Sequence, residues 1–204
     1  MQIKKANVKA TIDLVALRLF SSRGFEGTGM SDIAAAAGIS VGNVYRYYKS
    51  KEDLFYSLVP QRLVNRGRSL LLEKIRLAHG IPIKTAGKKP QIQEKQKEFL
   101  AFLIHHRQPM IIAFRQGKGT RYESVVGETL LLIERLLEEY VVILYPRRRP
   151  ALDQEQKVVL HTVYAQLLQG TLDILEKTED ESLAQSALER YLAYHFAGLP
   201  MILD

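Results

Sequence analysis

LRLFSSRGFEGTGMSDIAAAAGISVGNVYRYYKSKEDLF, residues 17–55, decides how this chain folds. Its middle, from Thr28 to Tyr48, has the length of two short helices joined by a tight turn. The first helix is expected over 30–37, with Ile33, Ala34 and Ala37 on its inner side. Gly38 ends it, because only glycine takes the left-handed conformation there without a Cβ penalty. Ser40 is a natural N-cap for the second helix, which should run to about Tyr47. Val44 and Tyr48, four apart, then share the inward face and leave Val41, Gly42, Asn43, Tyr45, Arg46 and Tyr47 outward. Glycine in a helix costs about 1 kcal/mol against alanine, so Gly42 makes sense where that turn must press on another surface. In a helix-turn-helix of this size the second helix enters the DNA major groove, with its N-terminal residues at the base edges.

Outward from this segment almost everything reads as helix. On the N-terminal side Ile12, Val15, Ala16, Leu19 and Phe20 form one stripe, ended by Gly24. On the C-terminal side Ser50 caps a single long helix expected over 51–78, with Glu52 and Asp53 in its first turn. Residues 79–90, holding Gly80, Pro82, Gly87 and Pro90, read as a loop. Further helices are expected over 91–107, 109–116, 122–145, 152–177 and 182–197. The fold class is therefore all-α: an N-terminal three-helix domain over 1–50 and a C-terminal helical domain over 51–204, with the 51–78 helix joining the two.

The 204 residues carry a net charge of +7, placed unevenly. Residues 1–90 hold 16 Lys/Arg against 6 Asp/Glu, and residues 91–204 hold 13 against 16. The whole excess lies in the part that holds the helix-turn-helix, as attraction to a phosphate polymer requires. There is no cysteine, hence no disulfide and no thiolate metal site. No apolar run is long enough to span a bilayer, and no signal peptide is read at the start, so a cytoplasmic protein without a membrane is expected.

The stretch quoted above closely resembles the signature of TetR-family transcriptional regulators. The matching elements are Leu19-Phe20, Gly24-Phe25, Thr28, Ile33-Ala34, Ala37-Gly38-Ile39-Ser40, Gly42, Tyr45, Tyr47-Tyr48 and Lys51-Glu52-Asp53-Leu54. Two positions depart from it. Gly29-Met30 stands where a hydroxyl residue usually caps the next helix, and Tyr48 stands where Phe is commoner, so that its hydroxyl needs a partner. The resemblance implies that Thr28, Tyr45, Tyr47 and Lys51 touch the DNA backbone. It implies that Ser40, Val41, Gly42 and Asn43 front the recognition helix, with Arg46 a further contact to phosphate or guanine. The partners so implied are a double-stranded operator and a second copy of the chain, held through the last two long helices.

The resemblance also implies a small effector bound in the C-terminal domain. Phe99, Phe102, His106, Met110, Phe114, Tyr122 and Tyr164 are the candidates to line its site, being large, mostly apolar and on helices expected to enclose the domain centre. The dimer seam is expected from Val158, Val159, Val163, Leu167, Leu183, Ala187, Leu188, Tyr191 and their neighbours, with Leu188 the residue to charge as a test. No His/Asp/Glu cluster has metal-ligand spacing, and no cofactor or catalytic constellation is found. Gln116–Glu123 is no phosphate loop: Ile112 stands where its first glycine must be, and Gly119 where Ser or Thr must follow Lys118. The leading reading is a non-enzymatic repressor released from its operator by an effector. The alternative is a ligand-independent regulator controlled by a protein partner; an enzyme that keeps the helix-turn-helix as a relic is the third.

Overall fold

The computed structural model describes residues 2–148 and 150–203. Among the described residues there are eleven helices and no strand. Two compact units are formed. The first holds the described residues up to Asn65 together with Gln108–Val125; the second holds Arg66–Arg107 and the described residues from Val126 on.

The first unit is built on α1 (Gln2–Arg23), α2 (Met30–Ala36), α3 (Val41–Tyr45), α4 (Lys51–Leu58) and α8 (Arg107–Arg115), the last of which begins at the boundary. Ile12, Ala16 and Phe20 of the α1 stripe are fully buried with Ile33, Val44, Leu54 and Phe55. The rings of Phe20, Phe25 and Phe55 meet in a cluster with centroids 5.0–6.1 Å apart. Gly24 and Gly38, which close α1 and α2, have φ of 72° and 67°, the left-handed conformation expected of them.

The expected division after residue 50 does not coincide with the compact units. α4 carries Leu54 and Phe55 into the N-terminal core, and residues 108–125 close over it. There Tyr122 is buried, its ring 6.2 Å from that of Phe55, and its hydroxyl donates to Val59 O at 2.6 Å. The helix expected over 51–78 is also two helices, α4 and α5 (Gln61–Leu77). Pro60 is the cause. It disfavours helical geometry in the residue before it, and Val59 stands at φ −121°, ψ 70°.

The second unit contains α6 (Ile83–Ala86), α7 (Pro90–His105), α9 (Val125–Leu144, all but its first residue), α10 (Gln154–Lys177), α11 (Glu181–Leu203) and most of α5. α6 is a single turn inside the expected 79–90 loop, opened by Pro82. α11 runs past the expected end at 197, through Pro200, to Leu203. The core gathers Leu130, Ile133, Leu137, Tyr140, Val141, Leu160, Tyr164, Leu199 and Leu203. α10 starts from an Asp153 cap that accepts from Gln156 N at 2.8 Å. It crosses α11 closely at Gly170, where a Cβ would meet the Tyr191 hydroxyl at 2.1 Å.

Leu188, expected at the dimer seam, is fully buried within its own protomer. Its place on the apolar arc is a core place, not a surface one. Val158, Leu183 and Tyr194 are among the exposed apolar side chains of the same two helices, at 58%, 59% and 77%.

One charged side chain of this unit is enclosed. Lys74 of α5 is 7% exposed, and burial lowers its ammonium pKa from 10.5 to about 8. With the folded pKa below the unfolded one, the unfolded chain binds more protons between about pH 8 and 10.5. Stability is therefore expected to rise with pH across that window. Lys74→Met is expected to abolish the rise and to stabilise the chain at pH 7 by up to about 3 kcal/mol. Urea denaturation at pH 7 and pH 10 checks both; a variant less stable than wild type at pH 7 would contradict this account of Lys74.

Candidate nucleic-acid interface

α3 is short and held from two sides. Its N-cap, Ser40, accepts from Asn43 N at 3.3 Å. Val44 is fully buried and Tyr48, one turn on, is 4% exposed. The hydroxyl of Tyr48 finds the partner it needs on α1: it donates to Asp13 Oδ1 and accepts from Lys9 Nζ at 2.6 Å, and Lys9 also pairs with Asp13 at 2.8 Å. Burial first, then the bond to Asp13, hold the Tyr48 phenol above its ordinary pKa. The Lys9 ammonium is raised mainly by the same carboxylate. The base of α3 is thus tied to α1 by packing and by a three-membered polar group. Tyr48→Phe is expected to cost about 0.5–1.5 kcal/mol in urea denaturation, the usual value of a lost hydrogen bond. An unchanged midpoint would mean that the tether carries no load.

With Val44 and Tyr48 turned in, the expected face is turned out. Ser40, Val41, Gly42, Tyr45 and Arg46 are exposed, and Asn43 and Tyr47 are half-buried. Tyr45 is 52% exposed, which decides its place on the surface rather than in the core. A Cβ built at Gly42 meets nothing within 4 Å, so no packing inside the protein demands glycine there. Arg46 and Lys49 make no side-chain ion pair among the described residues. The arrangement is a rigid, tyrosine-rich and cationic ridge with one bare turn at its front, which suits phosphate oxygens around a base-reading edge.

Two of the expected backbone contacts are placed differently. Thr28 is 1% exposed, and its hydroxyl donates to Gly24 O at 2.8 Å and Leu19 O at 3.3 Å. Its side chain pins the α1–α2 turn and has no free donor facing outward. Lys51 is half-buried. Its ammonium donates to Phe25 O at 2.8 Å and stands 4.2 Å over the Phe25 ring. The Gly29 start of α2 is served instead by Asp32, which accepts from Gly29 N at 2.8 Å.

Residues 14–58 match the family model described as bacterial regulatory proteins, tetR family. Over this segment the chain is similar to the TetR family. Curated relatives match over comparably short segments. The HTH-type transcriptional regulator AcrR of Shigella flexneri is 51% identical over 41 residues, which is 20% of this chain and 19% of that one. An HTH-type transcriptional regulator of Staphylococcus aureus strain USA300 is 38% identical over 52 residues, 26% of this chain and 28% of that one. The chain thus matches less than a third of the length of either relative. Solved structures similar over more of the length include a transcriptional regulator (TerR/AcrR family) from Aquifex aeolicus VF5, 18% identical, covering 92% of this chain and 98% of that one, with TM-score 0.46. Native NalD, the secondary repressor of the MexAB-OprM multidrug efflux pump in Pseudomonas aeruginosa, is 16% identical over 95% of this chain and 97% of that one, with TM-score 0.45.

The seven side chains expected around an effector are divided between the units. Met110, Phe114 and Tyr122 are buried in the first, and Phe99, Phe102, His106 and Tyr164 belong to the second. Phe102 and His106 lie one turn apart with ring centroids 4.7 Å from each other. Burial, helped by the neighbouring His105, lowers the His106 pKa. Tyr164 is buried in the second core, and desolvation lifts its phenol far above its ordinary value. A shallow cleft of about 570 Å³ in the second unit is lined by Tyr145, Pro146, Arg147 and Arg148, none of the seven. Among the described residues, no three His, Asp or Glu could hold a metal ion, and no helix is long and apolar enough to cross a membrane.

Proposed function

We propose that this chain is a TetR-family, sequence-specific DNA-binding transcriptional regulator of the cytoplasm, a homodimeric repressor released from its operator by a small-molecule effector. The outward face of α3 carries the reading. Val41, Gly42 and Asn43 front the bases; Tyr45, Arg46 and Tyr47 grip phosphates beside them. Ser40 caps the helix and presents its own edge. Thr28 and Lys51 serve this face mainly by holding the α1–α2 turn, with phosphate contact through Lys51 only once its ammonium leaves Phe25 O. The first unit reads DNA; the second binds effector and supplies α10 and α11 to the dimer.

The charge excess over residues 1–90 supports a large phosphate contribution. Binding to a selected operator is expected to weaken by about 10³–10⁵ between 50 and 200 mM salt if six to ten phosphates are engaged. Fluorescence anisotropy across that range checks it, and a flat response would remove phosphate contact as the source of affinity. The scatter of the expected effector residues over two units favours, as a second reading, control by a protein partner without a ligand. Operator titration with and without candidate small molecules separates the two.

A further inference from the structure

The second unit holds a nearly buried lysine, Lys74, and a buried imidazole nitrogen, that of His79, beside its apolar core. Lys74 is 7% exposed, and its ammonium stands over the face of Phe196, 4.5 Å from the ring centroid. No carboxylate and no hydrogen-bond acceptor meets it among the described residues, and desolvation alone moves its pKa. His79, just beyond the end of α5, has a buried Nε2 with no hydrogen-bond partner, and its ring lies 6.2 Å from that of Tyr140. Tyr140 belongs to the buried cluster, and Phe196 packs against that cluster with Leu71, Ile75 and Ala78. A nearly buried ammonium that meets only an aromatic face is costly, and a neutral side chain of the same length would fill the space more favourably. Other lysines in the unit show the usual solution: Lys95 lies 2.6 Å from Glu98 and 2.9 Å from Glu73, at the surface.

We propose that the second unit binds an organic carboxylate with an apolar body, its anionic end paired with the Lys74 ammonium beside Phe196. The charge balance selects the class. One ammonium matches one monoanion, whereas a phosphate dianion would need further cations, and among the described residues Lys74 is the one buried cation. A cationic ligand would set two like charges together without water. The body would lie along Phe196, Leu71 and Ile75. This rests on the reading of the second unit as the effector unit and adds the chemical class of the effector to it.

The probes are octanoate and 2-naphthoate, each with its methyl ester and the corresponding amine, titrated calorimetrically into the full chain and into Lys74→Met. Both carboxylates are expected to bind wild type at least about tenfold more tightly than ester or amine. Lys74→Met is expected to lose that preference while keeping whatever affinity the ester has; its melting temperature, measured alongside, shows that it is folded. Equal affinity for carboxylate and ester, tighter binding of the amine, a preference that survives in Lys74→Met, or no binding of either carboxylate at millimolar concentration would each overturn the proposal. Operator titration with the same probes keeps the two ideas apart. A carboxylate that binds through Lys74 and leaves operator affinity unchanged sinks the effector reading but not the site. An ester or amine that releases the operator sinks the site but not the effector reading.

Discussion

Gly42→Leu is expected to abolish specific operator binding while leaving the fold as stable as before or more so. The two halves of this expectation come from independent observations. Gly42 lies in the first turn of α3, exposed, with open space around a built Cβ, so a larger side chain displaces nothing within the protein. Replacing a helical glycine with leucine should, if anything, gain about 0.5–1 kcal/mol of helix propensity. The same open space is where base edges must approach if α3 enters a major groove, and four extra carbon atoms there hold the helix off. Affinity should fall to the non-specific level, on the order of 10³-fold or more. Anisotropy with a selected duplex and a thermal melt of the same sample read both quantities. A variant that melts earlier and still binds would mean that Gly42 is structural and that α3 does not face the groove.

The second large effect is expected on the surface of α10 and α11. Val158→Glu and Tyr194→Glu place charge on side chains that are 58% and 77% exposed in the protomer. Neither substitution should harm the fold of the single chain. If these helices form the two-fold seam, like charges are forced together without water, and sedimentation should show a folded monomer. A monomer holds one half-site at a time, so affinity for an inverted-repeat operator should drop by about 10²–10⁴ as the intramolecular second contact is lost. Leu188→Glu makes the contrast. Leu188 is fully buried, so the charge enters the protomer core and the chain is expected to unfold rather than to dissociate. If both surface variants remain dimeric with full operator affinity, the seam lies elsewhere.

What was legible in the sequence was the information a single helix or turn carries. Val44 and Tyr48 read as inward because they are four apart on one short helix, and Gly24 and Gly38 read as left-handed turns because no other residue sits there cheaply. The same local logic left the outer face of α3 as it stands in the structure. The rest depended on partners far away in the chain. Thr28 and Lys51 look like outward polar groups until Gly24 O and Phe25 O are placed next to them. Asp13 and Lys9 could not be read as partners of Tyr48, because nothing in a helical stripe tells which α1 residue the end of α3 will meet. Leu188 was assigned to the seam because a core arc and a dimer arc select the same residue types. Tyr122 and α8 went to the wrong unit because apolar periodicity gives a buried face but not the neighbour it is buried against. The break at Val59–Pro60 is a local signal too, since a proline disfavours helical geometry in the residue before it, and the single helix expected over 51–78 does not take it into account.

The most direct test of the central claim is selection of duplexes from a random library by the full chain. The account predicts enrichment of an inverted repeat, with half-sites about one helical turn apart or somewhat more. Recovery of no common sequence after repeated rounds at moderate salt would contradict it.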